Sequence, residues 1–124
     1  MKVATLLVVA TLLVAAPVLA KAPVPRALLE AKTIFLVNEG AGQGTFDDLA
    51  DAFRKWGRYE LLDDPTGADL IVTIGALQWY RGWPMTITKP GETTLLWTDK
   101  QKKGLTKNVA DSLVKELRKR VEGK

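Results

Sequence analysis

The first twenty residues are apolar almost without interruption. Residues 3–16 contain only two polar side chains, both threonine, while Lys2 precedes them and the small residue Ala20 follows. A positive start, an apolar run and a small-residue end are typical of a secretory signal peptide. We therefore predict that residues 1–20 are a signal peptide, cleaved after Ala20.

An uncleaved membrane anchor is the alternative for this segment, because residues 3–20 number 18, about the lower limit for a membrane-spanning helix. Pro17 and the small residues near the end favour cleavage. The pattern predicts a periplasmic or secreted protein. The sequence has no Cys, which favours a bacterial source, since small secreted domains elsewhere often carry disulfides.

Residues 21–31 are a predicted linker, in which the two prolines of KAPVPR (21–26) favour an extended chain and residues 26–31 form either a helical turn or coil. The rest, 32–124, is expected to be one domain. Its first element is TIFLV (33–37), a continuous apolar run that predicts a central strand buried on both faces. A glycine-rich loop, NEGAGQG, follows.

Two helices are predicted from apolar residues at helical spacing. In the first, Thr45 is the predicted N-cap, Asp48 its capping-box partner and Gly57 the C-terminal stop. The second covers 106–122, with basic residues in its last turns. The apolar stripes consist of Phe46, Leu49, Ala50, Phe53 and Trp56 in the first, and Leu105, Val109, Ala110, Leu113, Val114, Leu117 and Val121 in the second.

Further strands are predicted at 59–62, 69–75, 85–88 and 93–98. The order β-α-β-β-β-β-α predicts an α/β fold: a two-layer sandwich with a mixed sheet of about five strands and two helices on one face. Whether the second and third strands are antiparallel neighbours stays open. Residues 99–104 are predicted to be a charged loop, and Trp56 and Trp97 to lie in the core.

Composition removes several kinds of catalytic site. There is no Cys, no His and only one Ser. Thiolate nucleophiles, imidazole bases, Ser-His-Asp triads and zinc sites are therefore excluded, and no cofactor is expected. Without the leader, 17 basic residues face 14 acidic ones, a net charge of +3.

Two motifs suggest chemistry but have simpler explanations. Gly40, Gly42 and Gly44 lie between a strand and a helix, yet their G-x-G-x-G spacing matches neither the dinucleotide fingerprint nor the P-loop, so a plain loop is favoured over phosphate binding. Aspartates cluster at 47–51 and 63–69. They suggest a carboxylate-based hydrolase or a divalent-metal-dependent enzyme, although helix capping and turn formation also account for them.

The most unusual segment is the predicted loop that contains Trp79, Tyr80, Arg81 and Trp83. Three of the nine aromatic residues fall within residues 79–83. Trp, Tyr and Arg are enriched where proteins bind their partners, and flat rings also stack on sugars. We predict that these four residues bind an envelope protein or a glycan. The alternative is that one or two rings fold back onto the core.

The basic stretch KQKK (100–103) and the basic C-terminal helix suggest an anionic partner. A solvated face is the favoured interpretation, because acidic residues nearly balance the charge. Nucleic acid is not expected for an exported protein.

Three phrases carry a resemblance to a known family: GRYEL (57–61), ADLIV (68–72) and LW (96–97). Together with the order of elements over 32–121, they resemble the N-terminal domain of TolB and the related CsgG-like domains of bacterial envelopes. The sequence departs from these families in its short connection between the second and third strands. It also lacks the propeller of TolB and the lipoprotein Cys of CsgG. The resemblance implies a non-enzymatic domain that binds other envelope proteins.

The sequence thus predicts an exported, non-enzymatic envelope domain that binds a protein or a glycan through its aromatic loop. A carboxylate-based or metal-dependent enzyme is the alternative. A third possibility is a structural subunit that associates through an exposed strand edge.

Overall fold

The computed structural model describes residues 24–78, 82–102 and 108–123. The predicted signal peptide and its cleavage site lie outside these ranges and stay predictions. In the described ranges, none of the helices is long and apolar enough to cross a membrane. The elements are α1 Arg26–Glu30, β1 Thr33–Glu39, α2 Gln43–Trp56, β2 Glu60–Leu61, β3 Leu70–Gly75, β4 Trp83–Thr88, β5 Trp97–Gln101 and α3 Val109–Glu122.

The five strands form one mixed sheet in the order β2-β1-β3-β4-β5. β1 lies in the parallel part, between β2 and β3. β4 pairs antiparallel with β3, and β5 antiparallel with β4. This confirms the predicted α/β two-layer fold. The strand order also shows that the second and third strands are not antiparallel neighbours, because β2 and β3 lie on either side of β1.

The sheet is covered by helices on one face. Along β1, Ile34 and Leu36 are buried, whereas Thr33, Phe35 and Val37 are half-buried, and β3 and β4 alternate in the same way. The prediction that β1 is buried on both faces is therefore wrong. The continuous apolar run reflects Phe35 and Val37 on the second face, which are partly exposed, and no described helix covers that face.

α2 starts earlier than its sequence predicts. Gly42 is the N-cap and makes no side-chain cap hydrogen bond, so Thr45 and Asp48 lie inside the helix rather than forming a capping box. The end is as predicted: Gly57 adopts φ 76°, and its N–H donates to the Phe53 carbonyl. A left-handed residue is easiest for glycine, which has no Cβ.

α3 presents the predicted apolar stripe to the core. Asn108 caps it by accepting a hydrogen bond from the Asp111 N–H. Trp56, at the end of α2, donates its indole N–H to Glu122, at the end of α3, over 3.0 Å. The two helices therefore run side by side in the same direction. The described part of the stripe is buried throughout: Val109, Ala110, Leu113, Val114, Leu117 and Val121.

β5 lies further along the chain than its sequence predicts. It begins at Trp97 and continues through Gln101, so 93–96 are not strand, and residues 99–101, predicted as loop, are. Pairing with residues 83–87 of β4 explains the shift, because Trp83 at the start of β4 lies opposite Gln101. Trp97 and Trp56 are partly buried against the core. The buried Nε1 of Trp97 has no acceptor among the described residues.

The predicted linker contains a structural element. Of the two conformations left open for residues 26–31, the helical turn is observed, as α1. Its Leu28 is fully buried in the core. The Tyr59 hydroxyl donates to the Leu28 carbonyl over 2.6 Å, and burial raises the pKa of Tyr59. α1 therefore closes the core where β1 begins.

We expect α1 to contribute measurably to stability. Leu28→Ala should lower the free energy of unfolding by about 2–5 kcal/mol, because it opens a cavity in the core. Leu29→Ala is the matched control, since the adjacent Leu29 side chain is 41% exposed. Denaturant unfolding of both variants tests this. Equal losses would mean that α1 does not pack as described.

Candidate functional site

Several loops meet at one end of the sheet. β1 and β3 are parallel, and β5 runs the same way because both β3 and β5 are antiparallel to β4. Glu39, Gly75 and Gln101 therefore end their strands on the same side, which we call the carboxyl end. α2 also begins there. Ligands of open α/β sheets usually bind at this end, where the loops are not part of the hydrogen-bonded ladder.

The glycine-rich loop is held against the end of β3. Gly40 has φ 108° and forms an isolated bridge with Gly75. A Cβ on Gly40 would lie 3.0 Å from the Ala76 Cβ. Asn38 fixes the turn by accepting the Ala41 N–H at 2.8 Å. Backbone geometry thus accounts for Gly40 without a phosphate.

The second loop carries the predicted binding residues. Gln78 and Gly82 exchange two backbone hydrogen bonds, of 2.9 and 3.0 Å, which bring together the two ends of segment 79–81. Trp79, Tyr80 and Arg81 themselves lie outside the described residues. Leu77, just before the bridge, is 57% exposed.

Gly82 fixes this loop against β5. Its φ is 89°, and a Cβ at this position would lie only 2.1 Å from the Gln101 carbonyl oxygen. No side chain fits in that space. The base of the loop therefore lies directly on the backbone at the end of β5.

Trp83 is part of the sheet rather than of the loop. It is the first residue of β4, is half-buried and packs against the core. Alternation along the strand places it on the same face as Met85 and Ile87, both buried under the helices. Its ring therefore corresponds to the alternative in which part of the aromatic segment folds onto the core. Binding of a partner by Trp79, Tyr80, Arg81 and Trp83 stays a prediction.

Comparison with family models, with curated proteins and with solved structures gives no match for this chain. The resemblance to TolB and CsgG-like domains therefore stays a prediction from the sequence.

The aspartates of α2 make short-range contacts on the helix surface. Asp47 accepts a hydrogen bond from the Gln43 amide at 2.8 Å, and Asp51 pairs with Arg54 at 3.3 Å. Such i, i+3 and i, i+4 contacts are common on exposed helix faces. Within the described ranges, acidic residues form no group of three or more that could hold a metal ion.

Two aspartates in the connection from β2 to β3 accept backbone hydrogen bonds. Asp64 accepts the Thr66 N–H at 2.7 Å, and this bond lowers its pKa. The Asp69 Oδ2 accepts the N–H groups of Lys32 and Thr33 at 2.8 and 3.1 Å. These bonds lower the pKa of Asp69. Asp69 thereby ties the start of β3 to the start of β1.

The basic residues near the end of the chain lie in two places, at the end of β5 and on α3. Lys100 and Lys102 are exposed at the end of β5, and Lys103 lies outside the described residues. On α3, Arg118 pairs with Glu122 and Lys119 with Glu116, both at 3.1 Å. The ion pairs on α3 fit the solvated face that the sequence favours there.

A groove that the sequence does not predict lies at one edge of the sheet. An open groove of about 530 Å³ lies along the β2 edge of the sheet, between that edge and α2. The groove borders β2, which is only two residues long, and strand boundaries are among the properties that a single sequence predicts least well. The indication in the sequence is the short stretch RYELL (58–62) after Gly57, in which the predicted strand spans just four residues, 59–62.

We expect the close approach at Gly82 to be essential to the loop. Gly82→Ala adds a backbone clash to the strain of a positive φ, and the clash should cost at least about 2 kcal/mol more than the strain alone. Gly91→Ala is the matched control, because Gly91 also has a positive φ, 76°, but has no atom near its Cβ position. Denaturant unfolding compares the two, and equal losses would contradict the described approach to β5.

The tie made by Asp69 should depend on pH. Because its pKa is lowered in the folded state, its stabilisation is present above the ordinary value of about 4 and is lost as pH falls through the lowered pKa. Asp69→Asn should therefore destabilise at neutral pH, by less than about 1 kcal/mol at this exposed site.

Unfolding experiments at neutral and acidic pH test this, and the difference between wild type and Asp69→Asn should shrink on acidification. Asp63→Asn is the control, since the Asp63 carboxylate makes no hydrogen bond or ion pair with a described residue. A difference that grows on acidification would contradict the assignment.

Proposed function

We propose that this domain is a non-enzymatic binding module of the bacterial envelope that recognises another protein through the loops at the carboxyl end of the sheet. The supporting observation is the double hydrogen bond between Gln78 and Gly82. It gives the aromatic segment a fixed base beside the glycine-rich loop. A fixed base reduces the entropy lost when a loop becomes ordered on binding.

Exposed apolar surface at the same end supports a protein partner. Leu77 is one of three large apolar side chains that are exposed among the described residues, with Leu29 and Leu95. An aliphatic side chain beside Trp, Tyr and Arg adds to the apolar centre that protein interfaces bury. A sugar gains most from flat rings and little from an aliphatic group. We therefore favour a protein over a glycan.

Export is part of the proposal. The leader pattern of residues 1–20 supports cleavage after Ala20 and a periplasmic or secreted location. The sequence resemblance to envelope domains points to the same compartment and to another envelope protein as partner. Neither a cofactor nor a nucleic acid is part of this proposal.

Matched leucine variants test the binding surface. Leu77→Asp should reduce capture of the partner from an envelope extract at least about tenfold, as expected for a central interface residue. Leu95→Asp is the control, because Leu95 is 52% exposed but lies in the connection from β4 to β5, at the opposite end of the sheet. Both variants should keep the wild-type melting temperature.

Trp79→Ala extends the test to the aromatic segment, and a protein partner should be lost from both Trp79→Ala and Leu77→Asp. A glycan partner would be lost from Trp79→Ala alone. If Leu95→Asp weakens capture as much as Leu77→Asp, or if neither does, the proposed surface is wrong.

A further inference from the structure

The position next to β1 on the β2 side is only partly filled. β1 covers Thr33–Glu39, but β2 covers only Glu60–Leu61. The two strands pair at Thr33 and Ile34 and no further. Among the residues that the structure describes, no strand therefore lies beside β1 on this edge beyond Ile34.

The hydrogen bonds show which backbone groups face the unfilled position. The Lys32 carbonyl accepts a hydrogen bond from Glu60 in β2, and the Ile34 carbonyl accepts one from Leu62, just after β2. The Thr33 carbonyl accepts one from Asp69, beside β3. Backbone direction alternates along a strand. The N–H and C=O of Leu36 therefore point to the β2 side, past the end of β2, where no described residue bonds to them.

The groove lies at this position. Apolar residues from β1, from β2 and its neighbours, and from α2 line the groove, and its volume is about 530 Å³. From Leu36 to the end of β1 the edge is four residues long, about 13 Å at the rise of a β-strand. This length suits a short extended segment. The apolar lining residues are Phe35, Leu36, Phe46, Ala50, Leu61 and Leu62.

The charged groups around the groove favour a basic residue in its occupant. Glu60 and Asp63 line the groove where β2 ends, and neither has a cationic partner in the described part of the chain. Arg54, the cation in the lining, is already paired with Asp51. A strand that continues the line of β2, parallel to β1, would begin beside Asp63.

We propose that this groove binds an extended, apolar segment of a partner protein, which adds to β1 as the continuation of β2 and places a Lys or Arg beside Asp63. Its backbone bonds to Leu36, and alternate side chains enter the space beneath α2. Addition of a strand to an exposed edge is a recurring mode of peptide recognition. The site is separate from the carboxyl-end loops and does not depend on the function proposed for them.

A synthetic peptide tests this directly. The probe is the acetylated, amidated hexapeptide Lys-Val-Thr-Val-Thr-Val, added at up to about 1 mM to the isotopically labelled full chain, a range that detects weak binding. Amide hydrogen exchange is followed by NMR. At saturation, exchange at the Leu36 N–H should slow at least about tenfold, because the amide becomes hydrogen-bonded. Unchanged exchange at Leu36 would overturn the proposal.

Two N-methylated versions of the probe test the hydrogen bonds. Methyl groups on alternate amides remove the donors on one edge of the peptide strand, and methyl groups on the intervening amides remove those on the other. One version should lose binding at least about tenfold and the other should retain it, because only one edge faces β1. Equal effects of the two patterns would overturn strand addition.

A charge reversal tests the orientation. Asp63→Lys should weaken binding of the probe about fivefold, the upper range for an exposed ion pair. A probe with Glu in place of its Lys should bind Asp63→Lys more tightly than it binds wild type. Glu92→Lys is the matched control, because the exposed Glu92 lies in the turn between β4 and β5. Equal effects of both substitutions would overturn the assigned orientation.

Measurement of the mass of the protein in solution tests whether a second copy of this chain occupies the groove. If a dimer forms in which Leu36 is protected without any peptide, the groove is an interface between copies of this chain. That result would overturn a separate partner segment.

Discussion

The burial of alternate side chains from β1, β3 and β4 beneath α2 and α3 is the interaction on which the rest of the structure depends. Ile34, Val72 and Ile87 come from three different strands, and each is almost completely buried. Full burial of one such side chain stabilises a fold by about 1.5–3 kcal/mol. In the part of the chain that the structure describes, helices cover only this one face of the sheet.

The two edges of the sheet differ in strand length and in charge. β5 is a full-length edge strand that carries Asp99 and Lys100, and charges on an edge strand discourage unwanted pairing. β2 is so short that it leaves part of β1 exposed next to an apolar groove. An unfilled strand position with free backbone groups is suited to a specific extended segment, whereas the charged edge is not.

Rigid positioning at the carboxyl end also comes from backbone packing. Gly40 against Ala76 and Gly82 against Gln101 are both close approaches that leave no room for a larger residue. They fix the bases of two loops without using the loop side chains. Trp83, at the start of β4, packs against the core.

Features of the fold that depend on residues close together in the chain are predicted from the sequence better than features that depend on distant residues. Patterns within single elements predict the apolar stripe on α3, the end of α2 at Gly57 and the two-layer class of fold. Such patterns indicate which side chains of an element are buried. The position of β5 could not be predicted, because it depends on pairing with β4. The start of α2 was also missed, because its N-cap, Gly42, makes no side-chain cap hydrogen bond that the sequence would reveal.

The candidate sites show the same division. The sequence alone determined that an aromatic segment and a glycine-rich loop follow two apolar strands, since residue type and order are local properties. Only the tertiary structure decided that these loops share one end of the sheet, that Trp83 turns toward the core and that β2 stops beside Ile34. Strand order and strand length arise from long-range hydrogen bonding and packing, in which each residue's role depends on neighbours far away in the chain.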